Sequence, residues 1–195
     1  AQGGSKASGP YTISQLITSS QLTQDGAWTT STTITDVAGN TSAPSAGSFT
    51  LDTTAPSAPS VNLPEAPSGV NAAEAASAGG TPIVVTLPAD AKVGDVVTSV
   101  VTKPDGSKLT LSYTLQATDL PPAQGGSKAS GPYTISQLIA SSELTQDGAW
   151  TTSTTITDVA GNTSAPSAGS FTLDATAPSA PAVNLPEAPS GVNAA

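Results

Sequence analysis

Chemistry in this chain has to come from carboxylates, amides and hydroxyls. The sequence holds fourteen Asp and Glu residues against five cations, all Lys, for a formal net charge of −9, and it contains no His, Cys, Met or Arg. Without Cys there are no disulfides, thiol nucleophiles or thiolate metal sites. Without His the usual general base and transition-metal ligand are missing. Without Arg there is no bidentate phosphate clamp, and the acidic balance repels nucleic acid. Ser and Thr are abundant, but nothing is present to activate them as nucleophiles. The expectation is therefore no enzyme and no nucleic-acid partner. Carboxylates and carbonyls can still hold a hard cation, and Ca²⁺ fits that donor set better than Mg²⁺.

The elements that must position these groups follow from patterning. "LTLSYTLQ" (109–116) alternates Leu109, Leu111, Tyr113 and Leu115 with polar residues, the period-two mark of a half-buried strand. The β-branched runs "TPIVVTLP" (81–88) and "DVVTSVVT" (95–102) precede it, and "KPDGSK" (103–108) supplies a turn between the last two. Downstream come "YTISQLI" (133–139), "AWTTSTTITDV" (149–159) and "AGSFTLD" (168–174), separated by Asp-Gly and Ala-Gly-Asn turns. Trp150 and Ile156 share one strand face, and Phe171 and Leu173 share another, so these side chains are expected in a core. No stretch has helical periodicity, and no apolar run is long enough to cross a bilayer, so direct membrane insertion is not expected.

The chain repeats itself. Residues 1–73 align with 123–195 without gaps, an offset of 123 − 1 = 122, and differ only at Thr18/Ala140, Gln21/Glu143, Thr53/Ala175 and Ser60/Ala182. A period of 122 residues suits one β-sandwich domain per repeat. The Pro-rich stretch "DTTAPSAPSVNLPEAPSG" (52–69) reads as a linker. Cut there, residues 1–56 form the C-terminal half of one module. Residues 57–178 form a complete module, and 179–195 form a linker and the first strand of the next. The expected fold is all-β: immunoglobulin-like sandwiches in tandem, about seven strands per repeat. Residues 1–56 would then need completion, either by neighbouring repeats of the same chain or by another copy.

"DGAWTTSTTITDVAGNTSAPSAGSFTLDTTAPSAP" (25–59) resembles the bacterial immunoglobulin-like repeats of giant surface adhesins, the biofilm-associated and ice-binding proteins exported by type I secretion. The shared marks are an Asp-Gly-aromatic strand opening, a Thr-Asp-x-Ala-Gly-Asn turn and a strand ending in Asp-x-Thr-Ala-Pro. "GVNAAEA" (69–75) looks like that family's first strand. The resemblance implies an extracellular, cell-surface extender that holds an adhesive tip away from the cell, with calcium stiffening the junctions between modules. The competing expectation is a sandwich that itself recognises a glycan or protein, for which Tyr133 is the most exposed aromatic candidate.

Sandwich topology gives that calcium an expected place. The turn between the last two strands should lie at the pole where the module begins, so Asp158 and Asn162 would face the incoming linker with its Asp52. Asn71 and Glu74 would join from the new module's start, and Asp90 and Asp95, in "PADAKVGD" (88–95), are weaker candidates. Asp158 and Asn162 have an alternative use, capping their own turn by side-chain to backbone bonds.

Overall fold

A computed structural model describes residues 12–128 and 130–184. The chain divides into two compact units, Ala1–Thr54 and Ala55–Ala195. Strands dominate the regular structure of both.

The second unit is a two-sheet sandwich of eight strands: β3 (Ser60–Asn62), β4 (Val70–Asn71), β5 (Thr81–Thr86), β6 (Val96–Thr102), β7 (Lys108–Thr114), β8 (Thr134–Ile139), β9 (Gly148–Thr157) and β10 (Ser167–Asp174). One sheet has the order β3-β5-β8 and the other β4-β10-β9-β6-β7. Every pairing is antiparallel except the short parallel contact of β4 with β10. Alternation in sequence becomes alternation in burial. In β6, Val97, Ser99 and Val101 point inward, and in β9 Trp150, Thr152, Thr154 and Ile156 do. The core joins Ile83 and Val85 of the smaller sheet to Val97, Val101, Trp150, Ile156, Phe171 and Leu173 of the larger one. Trp150 stacks on Phe171 with ring centroids 5.7 Å apart, and its indole N–H donates to the Gln146 carbonyl at 3.1 Å. Two polar ties run through the interior. Ser99 and Thr154 share a 2.7 Å hydrogen bond, and the Gln137 side chain of β8 reaches across to donate to the Val97 and Leu111 carbonyls.

Two expectations change here. The Pro-rich stretch is partly sandwich: β3 lies inside it and pairs with β5, and Leu63 just after it is buried. The segment expected to open the module, residues 69–75, gives only the two-residue β4 and then a single helical turn, α1 (Ala72–Ala75). These two short strands bring the count to eight.

The first unit holds one hairpin, β1 (Gly26–Thr32) with β2 (Ser45–Leu51), in the register of its copy: Trp28 faces Phe49 as Trp150 faces Phe171. Those rings also stack, at 6.1 Å. Residues 12–17, identical to β8, form no strand, because the chain segment that pairs with β8 is β5 and the first unit has no counterpart of it. The consequence shows in exposure. Ile34 is 75 % exposed where Ile156 is at 0 %, and Phe49 is 38 % exposed where Phe171 is at 3 %. Residues 182–184, the counterpart of β3, likewise form no strand, and Val183 is exposed where Val61 packs against the core. Residues 185–195, the remainder of the expected next module, lie outside the described residues.

This difference predicts opposite outcomes for one substitution made in the two copies. Ile156→Ala should cost about 2–5 kcal/mol in urea denaturation, the range for truncating a filled core. Ile34→Ala should stay within about 0.5 kcal/mol, as for a surface site. Equal costs would mean that the first hairpin is packed like the second.

Candidate functional site

Strand register sorts the second unit's loops between two ends. β3 starts beside the end of β5, and β6 starts beside the end of β9. One end, the proximal, therefore carries residue 57, the loop 87–95 and the turn 158–166. At the other, distal end, β4 runs parallel to β10 so that Asn71 lies opposite Asp174. The helical turn α1, the turn 103–107, the loop 140–147 and the departing chain at 175–178 belong there.

At the proximal end Asp158 closes its own turn. Its carboxylate accepts from the Asn162 backbone N–H at 2.8 Å and from the Asn162 side-chain amide at 2.9 Å. The Asn162 amide is the main reason its carboxyl sits below the ordinary aspartate range. Gly161, at φ +97°, makes the left-handed step that the turn needs. Asp36 and Asn40 repeat the arrangement in the first unit, with both contacts at 2.9 Å and Gly39 at φ +91°. Only residues within the turn take part, which is why it forms in both places.

Asp90 holds the arriving chain. It accepts from the Ser57 backbone N–H at 2.9 Å and from the Ser57 hydroxyl at 2.8 Å. Burial pushes its carboxyl up, but the Ser57 bonds outweigh that and leave it below the usual range. Asp95 is the buried member, 2 % exposed, and accepts from the Lys92 backbone N–H at 2.7 Å. Burial raises its pKa above the ordinary 3.8, and the negative charges of Asp158 and Asp90 add to the rise over the opposing Lys92 bond.

At the distal end Asn71 and Glu74 cap α1 reciprocally. The Asn71 side chain accepts from the backbone N–H of Ala73 (2.9 Å) and Glu74 (3.1 Å), while Glu74 accepts from the Asn71 N–H at 2.9 Å. This is a capping box built on Asn and Glu.

Within the second unit the residues expected to hold calcium fall at opposite ends. Asp158 and Asn162 stand at the proximal end with Asp90 and Asp95, whereas Asn71 and Glu74 stand at the distal end. Asp52 belongs to the first unit and accepts from the Thr54 N–H at 3.1 Å. The expectation misplaced Asn71 and Glu74 by taking 69–75 as the module's start. The sandwich starts with Ser57 and β3, and residues 69–75 already lie at the far end. Among the described residues, no group of three or more acidic side chains is placed to hold a metal ion. Within the second unit the oxygens of Asp158, Asn71 and Glu74 take part in turns and caps.

A pair that sequence reading passed over does the corresponding work on the departing chain. Asp147 accepts from the Ala175 N–H at 2.8 Å and from the Thr176 hydroxyl at 2.6 Å. Asp25 does the same for Thr53 and Thr54 in the first unit. The Thr176 hydroxyl is the main reason that Asp147 sits below the ordinary range. The signal was present in the Asp-Gly that opens one strand and the Thr-Ala-Pro that follows the next, but nothing local says that they meet.

Among the described residues of the second unit, aromatic side chains do not gather into a surface. Trp150 and Phe171 are buried, and Tyr113 and Tyr133 pack partly against the core, Tyr133 with the Lys128 ammonium 5.7 Å from its ring centre. Among the described residues no helix is long and apolar enough to cross a membrane.

No protein-family model matches this chain, and no curated protein matches it. It is similar to a solved structure concerned with host cell surface retention of a 1.5-MDa bacterial ice-binding adhesin, at 21% identity and a TM-score of 0.37. The likeness covers 79% of this chain and 43% of that one, so this chain spans less than half of that neighbour's length.

Two outcomes follow from the proximal carboxylates. Asp95 has its pKa raised on folding, so its ionised form opposes folding at neutral pH, and the penalty is relieved as pH falls through the raised value. Asp95→Asn keeps an acceptor for Lys92 and should raise the melting temperature at pH 7, with the gain vanishing below the ordinary aspartate value of 3.8. A loss at pH 7 would show that the carboxylate supports the fold. Millimolar Ca²⁺ against excess EDTA should leave the second unit's melting unchanged, since a ligand held only by the folded state must raise it.

Proposed function

We propose that this chain is a segment of a structural extender: immunoglobulin-like modules repeated along a bacterial cell-surface adhesin, adding length between the cell and an adhesive domain. The observation that carries the reading is that the chain arrives at one end of the sandwich and leaves from the other. Ser57 is fastened to Asp90 at the proximal end, and the chain beyond Asp174 is fastened to Asp147 at the distal end. Modules joined in this way add end to end. The eight residues of β10 alone correspond to about 26 Å. The 122-residue repeat supplies the multiplicity that such a role requires. Only residues 53–56 lie between Asp52, the counterpart of Asp174, and the fastened Ser57, which leaves little slack for bending.

The immunoglobulin-like assignment is supported by the division into β3-β5-β8 and β4-β10-β9-β6-β7, in which every consecutive pair except the hairpins β6-β7 and β9-β10 crosses between the sheets. In this reading stiffness comes from the short fastened connector. The reading of the sandwich as a ligand-binding module would favour an exposed aromatic platform, and the described residues of the second unit offer none.

Solution scattering on chains of two, three and four complete modules tests the extender. The maximum dimension should rise by a constant step of at least about 26 Å per module. Growth only as the square root of module number, the behaviour of a flexible string, would remove the extender function.

A further inference from the structure

The two ends of the second unit present surfaces of opposite shape. Among its described residues, four large apolar side chains are exposed: Val93, Leu138, Val159 and Val183. Two of them belong to the proximal end. Val159, 78 % exposed, sits at the tip of the turn that Asp158 closes. One of its methyl groups lies 3.1 Å from where a side chain on Gly94 would begin. The turn therefore rests on the loop beside Val93, and together they form an apolar knob. At the distal end lies a shallow pocket of about 370 Å³ between α1 and the departing chain, lined largely by Ala72, Ala73, Ala175, Ala177 and Pro178.

We propose that the distal pocket receives the Val159 knob of the following repeat, so that neighbouring sandwiches dock directly. The inference rests on the extender reading and adds to it what fixes the angle between modules. Reach sets the occupant. Residues 175–195 repeat 53–73 except at Ala175 and Ala182, so Ser179 stands where Ser57 stands in the second unit. Asp147 holds Thr176 at 2.6 Å, and Asp90 holds Ser57 at 2.8 Å. With Ser179 held in the same way by the following repeat, only Ala177 and Pro178 are left unclasped. Three residue steps span at most about 11 Å, and Pro178 fixes one of the torsions. The next proximal end is thus brought against the pocket, part of whose wall is the connector itself. Net charge opposes the contact. Asp90, Asp95 and Asp158 outnumber Lys92 at one end, and at the other Asp147 and Asp174 are acidic while Lys103 is already paired with Glu143. Burial of apolar surface is the attraction that remains. The short tether makes the encounter intramolecular, so a small contact suffices.

The second unit carries a core of its own, so the test uses two copies of residues 57–178 joined in tandem. The sequence has no Cys, and Ser170→Cys in each copy places one spin label on an exposed strand position of each sandwich. Electron–electron distance measurement then reads how firmly the two modules are held, and a narrow distance distribution is expected. Val159→Asp in the second copy should broaden it. The same substitution in the first copy, whose knob faces no pocket, should leave it narrow. Ala73→Glu should act the other way round, broadening the distribution from the first copy and not from the second. An effect on folding alone would appear at both positions. Broadening from both copies alike, or a narrow distribution indifferent to every substitution, would overturn the docking and leave the extender reading standing. A distribution broad from the outset would also overturn the docking, and the extender reading would then be judged separately by the scattering increment per module.

Discussion

An apolar sheet face becomes a core only when a second sheet covers it. The rest of this molecule depends on that constraint, and the chain demonstrates it with its own duplicate. "TISQLI" at 134–139 is the strand β8, paired with β5 and burying Ile135 and Ile139. The same letters at 12–17 form no strand, and Ile13 is 84 % exposed. Local sequence is held constant, so the difference belongs to tertiary context: burial removes apolar surface from water, and ladder bonds need a partner.

What survives without a partner is equally informative. The Asp36–Asn40 turn, the hairpin register and the Asp25 clasp on Thr53 and Thr54 all form in the first unit as their copies do in the second. These rest on bonds within one turn or one hairpin, where loop-closure cost is small. The strand at 12–17 needs an element that is distant in sequence. The acidic side chains belong mostly to the local class. They close turns, cap α1 and fasten the connector at both ends, and the extender reading rests on that fastening.

The strands of the second unit were legible because alternation and β-branched runs are local properties. The strands expected at 81–88, 95–102, 109–116, 133–139, 149–159 and 168–174 correspond to β5–β10 with small shifts at their ends. β3 was not legible: Val61 is its one apolar residue and prolines surround it, so only its pairing with β5 reveals it. α1 escaped because a single turn has no period, although Asn71 three residues before Glu74 is a capping signal. The placement of Asn71 and Glu74 failed for a topological reason. Position along the chain was taken as position at a pole, while β3 and β4 carry the chain across the full sandwich before residue 72. Asp147 and Thr176 were unreadable as a pair, because neither residue indicates the other's location.

The central claim is that strand structure in this repeat is conferred by the opposing segment. Residue-resolved amide hydrogen exchange by NMR on the intact chain tests it most directly. The account predicts strong protection at Ile135, Gln137 and Ile139, and exchange close to the unstructured rate at the identical Ile13, Gln15 and Ile17. Equal protection at both sets would contradict it.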